Sequence, residues 1–124
     1  MIFIANADGS IKAVLPSNVY QNSNLANRVV LFAPFTSATK VSVAFNLPNG
    51  NNTARLLTQQ DSIEMSKYDI ASSELAENYS MWFYDLPQMI TSISGDVSVQ
   101  FFIYNGTQTI ATSSQIFNVY NGID

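Results

Sequence analysis

The sequence contains no cysteine and no histidine. These absences exclude a disulfide framework, a zinc site built on thiolates or imidazoles, a Ser–His or Cys–His nucleophile and a histidine pH switch. Charged side chains are also scarce, because they make up 11% of the 124 residues, whereas an average soluble domain has about 25%. Asn, Ser, Thr and Gln supply the remaining polarity, and they favour turns and exposed strand faces.

The five basic residues are scattered along a chain whose formal net charge is −4. Nucleic-acid binding requires a basic face that neutralises phosphates, so we expect no nucleic-acid partner. The apolar run at the start of the chain is shorter than the 7–15 residues of a signal peptide or the roughly 20 of a spanning helix. We therefore expect no membrane insertion, and synthesis in the cytoplasm.

Two segments, residues 39–47 and 96–104, alternate apolar and polar side chains with the period of a half-buried β-strand. The apolar members of each segment share one face: Val41, Val43, Phe45 and Leu47 in the first, and Val97, Val99, Phe101 and Ile103 in the second. We predict that Val43, Phe45, Val99 and Phe101 line a common core between two sheets.

Further short segments between turn residues are also predicted to be strands. They are Arg28–Ala33, Thr53–Thr58, Tyr79–Asp85, Thr107–Thr112 and Gln115–Tyr120, with a weaker candidate at Ile11–Leu15. Strands at this spacing in a chain long enough for one domain predict a single domain over residues 1–124. The predicted fold is all-β, an antiparallel β-sandwich of seven to eight strands.

The last hairpin contains a conflict of register. An Asn105-Gly106 turn would pair Tyr104 with Thr107 and Phe101 with Ile110, which places Ile110 in the core. The same register, continued, would bury Asn118 and expose its apolar neighbours Phe117 and Val119. Because a one-residue slip moves every side chain to the other face, we predict a β-bulge or a break within Thr112–Gln115.

The segment Asp61–Glu77 carries many of the charges and is predicted to be a mobile connection, with at most two turns of helix at residues 72–77. Its carboxylate pairs Asp61/Glu64 and Glu74/Glu77 are candidates for glycoside hydrolysis, but solvated loop charges are the favoured interpretation. The asparagines around Gly50, which are Asn46, Asn49, Asn51 and Asn52, are favoured as a hairpin tip over a calcium site, because no carboxylate accompanies them. We predict no enzyme, and no catalytic, cofactor-binding or metal-binding residues.

The aromatic run Tyr79–Tyr84 is apolar on both of its faces. We predict that Trp82 lies in the core, whereas the opposite face is either buried or open to a partner or a sugar. Phe102 and Tyr104 face outward on their predicted strand and would extend such a surface. The predicted interaction patch is Tyr79, Met81, Phe83, Phe102 and Tyr104.

The order of the strand and turn motifs resembles the N-terminal immunoglobulin-like domain of upper baseplate and tail-fibre proteins from phages and prophages of Gram-positive bacteria. The resemblance covers residues 17–122. The motifs are Val19–Asn27, Phe32-Ala33-Pro34-Phe35, Val43–Gly50, Leu56-Leu57-Thr58, Trp82–Pro87, Ser94-Gly95 and Ala111–Val119.

This resemblance implies an immunoglobulin-like sandwich that acts as a non-enzymatic virion adaptor. Such a domain docks onto a phage tail or baseplate protein, positions a C-terminal host-recognition module, and is a homo-oligomer within the full-length protein. The implied location is the virion tail or baseplate, and the chain would be the N-terminal segment of a longer protein. The alternative that the residues leave open is a carbohydrate-binding sandwich, with Tyr79, Phe83, Phe102 or Tyr104 as stacking platforms.

Overall fold

The fold was taken from a computed structural model that describes residues 1–60 and 79–121. The predicted connection Asp61–Glu77, with its helical turns and carboxylate pairs, lies outside the described residues. The described strands are β1 (Ile2–Ala5), β2 (Ile11–Leu15), β3 (Val19–Tyr20), β4 (Arg28–Ala33), β5 (Lys40–Asn46), β6 (Asn52–Leu56), β7 (Thr58–Gln60), β8 (Ser80–Asp85), β9 (Gly95–Asn105), β10 (Gln108–Ala111) and β11 (Gln115–Tyr120). One helical turn, α1, spans Gln88–Thr91.

The strands form two sheets that face each other across a hydrophobic core, so the predicted all-β sandwich is confirmed. The first sheet has the order β2-β1-β4-β8-β7, and the second has the order β3-β11-β9-β5-β6 with β10 beside β9. The number of strands exceeds the expected seven to eight, and the pairing is mainly but not wholly antiparallel. The described residues contain eleven strands, and β1 runs parallel to β4 while β3 runs parallel to β11.

The core between the sheets contains the apolar faces that the alternation predicted. Val43 pairs with Phe101, and Phe45 pairs with Val99. All four side chains are buried. Phe101 also reaches across to the first sheet, where its ring centroid lies 5.3 Å from that of Phe3. Phe101 therefore connects the pairing within the second sheet to the packing between the two sheets.

Replacing Phe101 or Phe45 by alanine should lower the free energy of unfolding by about 3–5 kcal/mol, because each change leaves a cavity among fully buried neighbours. Equilibrium denaturation followed by circular dichroism measures this loss. A loss below about 1 kcal/mol for both variants would contradict the core described above.

The pairing of β9 with the last two strands breaks within the predicted segment. β10 pairs with Phe102–Asn105, and β11 pairs with Gly95–Val99 along the same edge of β9 after a shift of one residue. As a result Ile110 packs against the core, and Phe117 and Val119 are buried within it. The predicted break is confirmed.

The predicted turn in this hairpin is wrong by one residue. Asn105 pairs with Gln108, and Ile110 pairs with Ile103 instead of Phe101, so the two-residue loop is Gly106-Thr107. Gly106 has a φ of 62°, as a type II′ turn requires at its first central position. Each predicted partner is displaced by two residues, which leaves the faces of the strand unchanged.

Thr112 supports the break with its side chain. Its N–H donates to the Phe101 carbonyl at 2.9 Å, and its Oγ1 accepts the Phe101 N–H at 3.0 Å. The hydroxyl thus replaces the carbonyl that a regular ladder would supply. The neighbouring Ser113 N–H donates to the Gly9 carbonyl at 2.9 Å, and a Cβ on Gly9 would overlap the Ala111 carbonyl. Gly9 therefore lets the β1–β2 turn approach the break closely.

Replacing Thr112 by valine should lower the free energy of unfolding by about 1–3 kcal/mol, because the buried Phe101 N–H loses its acceptor while the volume is kept. The matched control is Thr112→Ser, which keeps the hydroxyl and should cost less than the valine variant. Thermal and chemical denaturation of both proteins measure the difference. Equal losses in the two variants would show that the hydroxyl does not stabilise the break.

The sequence analysis did not predict the helical turn α1 or three of the strands, which are β1, β3 and β7. β1 has both faces buried and so shows no alternation, and β3 has only two residues. The predicted strand Thr53–Thr58 is divided at the buried Leu57, so that β6 belongs to the second sheet and β7 to the first. The chain passes from one sheet to the other at this residue.

Candidate functional site

The five residues of the predicted interaction patch lie on two different sheets. Tyr79 precedes β8 of the first sheet, which carries Met81 and Phe83, and β9 of the second sheet carries Phe102 and Tyr104. Both groups face away from the core between the sheets, and therefore in opposite directions. The expectation that Phe102 and Tyr104 extend one continuous surface is wrong.

Trp82, on the other face of β8, points into the core as predicted, with 4% of its surface exposed. Its Nε1–H donates to Ser80 Oγ at 2.8 Å, and that hydroxyl donates to the Phe35 carbonyl at 2.8 Å. The polar end of the indole is therefore satisfied inside the protein, as buried tryptophans require. This side chain has a structural role.

The outer face of the first sheet is itself buried. Ile2, Ile4, Val30, Phe32 and Met81 form a second hydrophobic cluster, and Tyr79 and Phe83 pack against it. Met81 is 1% exposed, so it is not an accessible contact residue. Because both faces of the central strands are buried, this sheet offers little open surface except at its edges.

Cations cover two of the rings proposed as stacking platforms. The Arg28 guanidinium lies 3.9 Å from the centroid of the Phe83 ring and pairs with Asp85 at 2.8 Å. The Lys40 ammonium lies 4.5 Å from the centroid of the Tyr104 ring. One face of each ring is thereby occupied by a cation–π contact. Those faces are closed to a sugar.

One opening lies on the side of the sandwich where β2 of the first sheet comes near β11 of the second. We call it the open-side cleft, and its volume is about 330 Å³. Its lining residues are Met1, Phe3, Val14, Pro16, Ser17, Asn18, Ile116, Phe117, Asn118 and Tyr120. Three of these are exposed hydrophobic side chains, with Val14 39%, Ile116 68% and Tyr120 47% exposed.

Among residues 1–60 and 79–121, no charged side chain lines the open-side cleft. Its one charged group is the Met1 ammonium, which donates to the Arg28 carbonyl at 2.8 Å and to Ser17 Oγ at 3.2 Å. Burial lowers the pKa of this ammonium, because desolvation disfavours the charged form. The Asn118 amide at the cleft donates to Asp96 Oδ1 at 2.9 Å. The cleft thus combines exposed apolar side chains with polar groups, of which the Met1 ammonium and the Asn118 amide are hydrogen-bonded.

A second, polar cleft of about 340 Å³ lies on the outer face of the second sheet, lined by Ala44, Phe45, Asn46, Asn52, Ser98, Gln100 and Ser114. Asn46 is the cross-strand partner of both Asn52 and Ser98. The Gln100 amide donates to the Thr112 carbonyl at 2.9 Å. This arrangement presents uncharged hydrogen-bonding groups on a strand surface.

The asparagines considered for calcium do not form one site. Asn46 and Asn52 line the polar cleft, whereas Asn49 Oδ1 accepts the Asn51 N–H at 3.0 Å within the hairpin tip. Across residues 1–60 and 79–121, no group of three or more His, Cys, Asp or Glu side chains comes together. Asn49 therefore serves the turn, as the hairpin interpretation expected.

The carboxylates in the described part of the chain are Asp8, Asp85 and Asp96, and each has a polar neighbour. Asp85 pairs with Arg28, and Asp96 accepts from Asn118. Asp8 Oδ1 accepts from Ser10 Oγ at 2.6 Å and from the Ser10 N–H at 2.9 Å. These hydrogen bonds lower the pKa of Asp8. The three carboxylates lie apart, and each one stabilises a turn or the end of a strand.

No protein-family model matches the chain, and no curated protein is significantly similar to it. None of the helices within residues 1–60 and 79–121 is long and apolar enough to cross a membrane.

Sequence reasoning missed the open-side cleft. Ile116 was the one available signal, because it occupies an outward position in the alternation of β11, where a polar residue is expected.

Proposed function

We propose that the chain is a non-enzymatic adaptor domain of a phage tail or baseplate, which docks onto a tail protein and positions a host-recognition module. The observation that carries this proposal is the open-side cleft, where exposed apolar side chains surround an opening that no described charged side chain lines. The resemblance of the strand and turn motifs to baseplate and tail-fibre domains supplies the class of partner.

The chemistry of the open-side cleft is that of a protein-docking surface. The centres of protein interfaces are apolar and depleted of charge, and contiguous exposed apolar surface on a soluble domain marks an interaction site. Val14, Ile116 and Tyr120 meet this description, since all three are exposed and line one cleft.

Replacing Ile116 by lysine should weaken binding of the purified chain to tails isolated from the phage that encodes it by about tenfold or more, because a charge would enter the apolar centre of the interface. The matched control is Leu56→Lys. Leu56 is 61% exposed, against 68% for Ile116, and lies on β6 away from the cleft. Biolayer interferometry with immobilised tails measures both affinities.

Leu56→Lys should bind as the unmodified chain does. Equal binding of the two variants would place docking elsewhere on the domain. A chain absent from purified virions and unable to bind tails would overturn the adaptor function itself.

The polar cleft supports a second candidate, a carbohydrate-binding function. Its amide and hydroxyl groups suit a neutral saccharide, which hydrogen-bonds to such side chains. Under this function Asn46→Ala should reduce affinity for host cell-wall saccharides about tenfold in titration calorimetry, because paired hydrogen bonds to the sugar are lost. The buried Trp82 is a poor reporter of such binding, so its fluorescence should not be the readout. If no saccharide tested produces a heat of binding, the carbohydrate-binding function is overturned and only the adaptor function remains.

A further inference from the structure

β2 is an edge strand whose outer side has no partner strand within the described residues. It is the terminal strand of the first sheet, and its residues Lys12–Leu15 are exposed. Val14 and Leu15 are 39% and 44% exposed, so the strand presents apolar side chains beside an open backbone edge. Such an edge is a template for pairing with another strand.

The hydrogen bonds of β1 show which groups of β2 are free. The Val30 N–H donates to the Met1 carbonyl at 3.0 Å, so the odd-numbered residues of β1 direct their backbone groups toward β4. Ile2 and Ile4 therefore bond to β2. Val14, which lies opposite Phe3, directs its N–H and C=O away from the sheet, because bonded and non-bonded pairs alternate in an antiparallel ladder.

We propose that β2 pairs antiparallel with β2 of a second copy of this chain, across a two-fold axis at Val14. This inference rests on the proposed docking function and names one of its interfaces. Each Val14 donates its N–H to the Val14 carbonyl of the other copy, and the two first sheets become continuous. A two-fold interface of this kind uses the same surface patch on both copies.

The sequence of β2 is self-complementary in this register. Ala13 lies opposite Leu15 of the second copy, so small and large apolar side chains meet on the outer face. Lys12, the one charge on β2, lies opposite Pro16 of the second copy and not opposite another lysine. Like charges directly opposite would destabilise the pair, and this register avoids them.

In such a dimer, side chains from β2 of the second copy lie beside the open-side cleft. Val14 points to the inner face of the first sheet with Phe3 and lines the cleft. Directly opposed residues share a face, so Val14 of the second copy extends the same apolar wall near Ile116. By contrast, the edge strand β6 carries Asn52, Thr53 and Arg55, and polar and charged residues of this kind discourage edge pairing.

Sedimentation equilibrium of the full chain tests the proposal. The unmodified chain should form a reversible dimer, with its mean mass rising from 13.7 kDa toward twice that value as concentration increases. Val14→Pro should weaken the dimer by about tenfold or more, because it removes the outward donor without removing a bond to β1. Its melting temperature, measured alongside, shows that the fold is kept.

The matched control is Ala54→Pro on β6. Leu57 and Leu47 bond across to Val41 and Asn51, so the intervening Ala54 also directs its N–H outward from an edge strand. This variant should dimerise as the unmodified chain does. Loss of the dimer in Ala54→Pro but not in Val14→Pro would overturn the proposal.

A charge exchange tests the register without proline. Val14→Lys alone and Val14→Glu alone should each be monomeric, because like charges then lie opposite each other across the axis. An equimolar mixture of V14K and V14E should restore the dimer. Failure of the mixture to associate, or a monomeric unmodified chain up to about 1 mM, would overturn the pairing.

A monomer that still binds tails overturns only this inference, whereas a dimer that binds no tails overturns only the docking function.

Discussion

The one-residue shift between β10 and β11 is the constraint on which the second sheet depends. β9 pairs with both strands along one edge, and only the shift allows Ile110 and Phe117 to face the same core. Thr112 stabilises the shifted pairing. Its hydroxyl accepts the hydrogen bond of the Phe101 N–H, which would otherwise have no acceptor where the ladder is interrupted. The same shift turns Ile116 outward, where it becomes part of the open-side cleft.

The sequence predicted the parts of the fold in which one strand face is buried and the other is not. β5 and β9 alternate because of that asymmetry, and the conflict between Ile110 and Phe117 located the break. β1 has no such asymmetry, since both of its faces are buried, so its four residues resemble any short apolar run. Its parallel pairing with β4 joins distant segments and leaves no local pattern.

The assignment of β8 and β9 to different sheets explains why Phe102 and Tyr104 do not extend the surface of Tyr79, Met81 and Phe83. The pattern of β8 and β9 identifies which residues share a face of each strand, but it does not show that the two strands belong to different sheets. The cations over Phe83 and Tyr104 are equally invisible, because Arg28 and Lys40 reach those rings from other strands. Two distant strands, β2 and β11, likewise bring Val14, Ile116 and Tyr120 to one cleft.

Burial on both faces of the first sheet restricts where this domain can make contacts. Its central strands have no open face, so within the described residues the terminal strands β2 and β7 are what this sheet presents to a partner. The second sheet presents a mainly polar outer face, in which the polar cleft lies. Val14, Ile116 and Tyr120 bring exposed apolar side chains together where the two sheets meet at the open side. Because no charged side chain among the described residues lines the open-side cleft, we expect this cleft to select partners by shape and backbone pairing, as the proposed docking function requires.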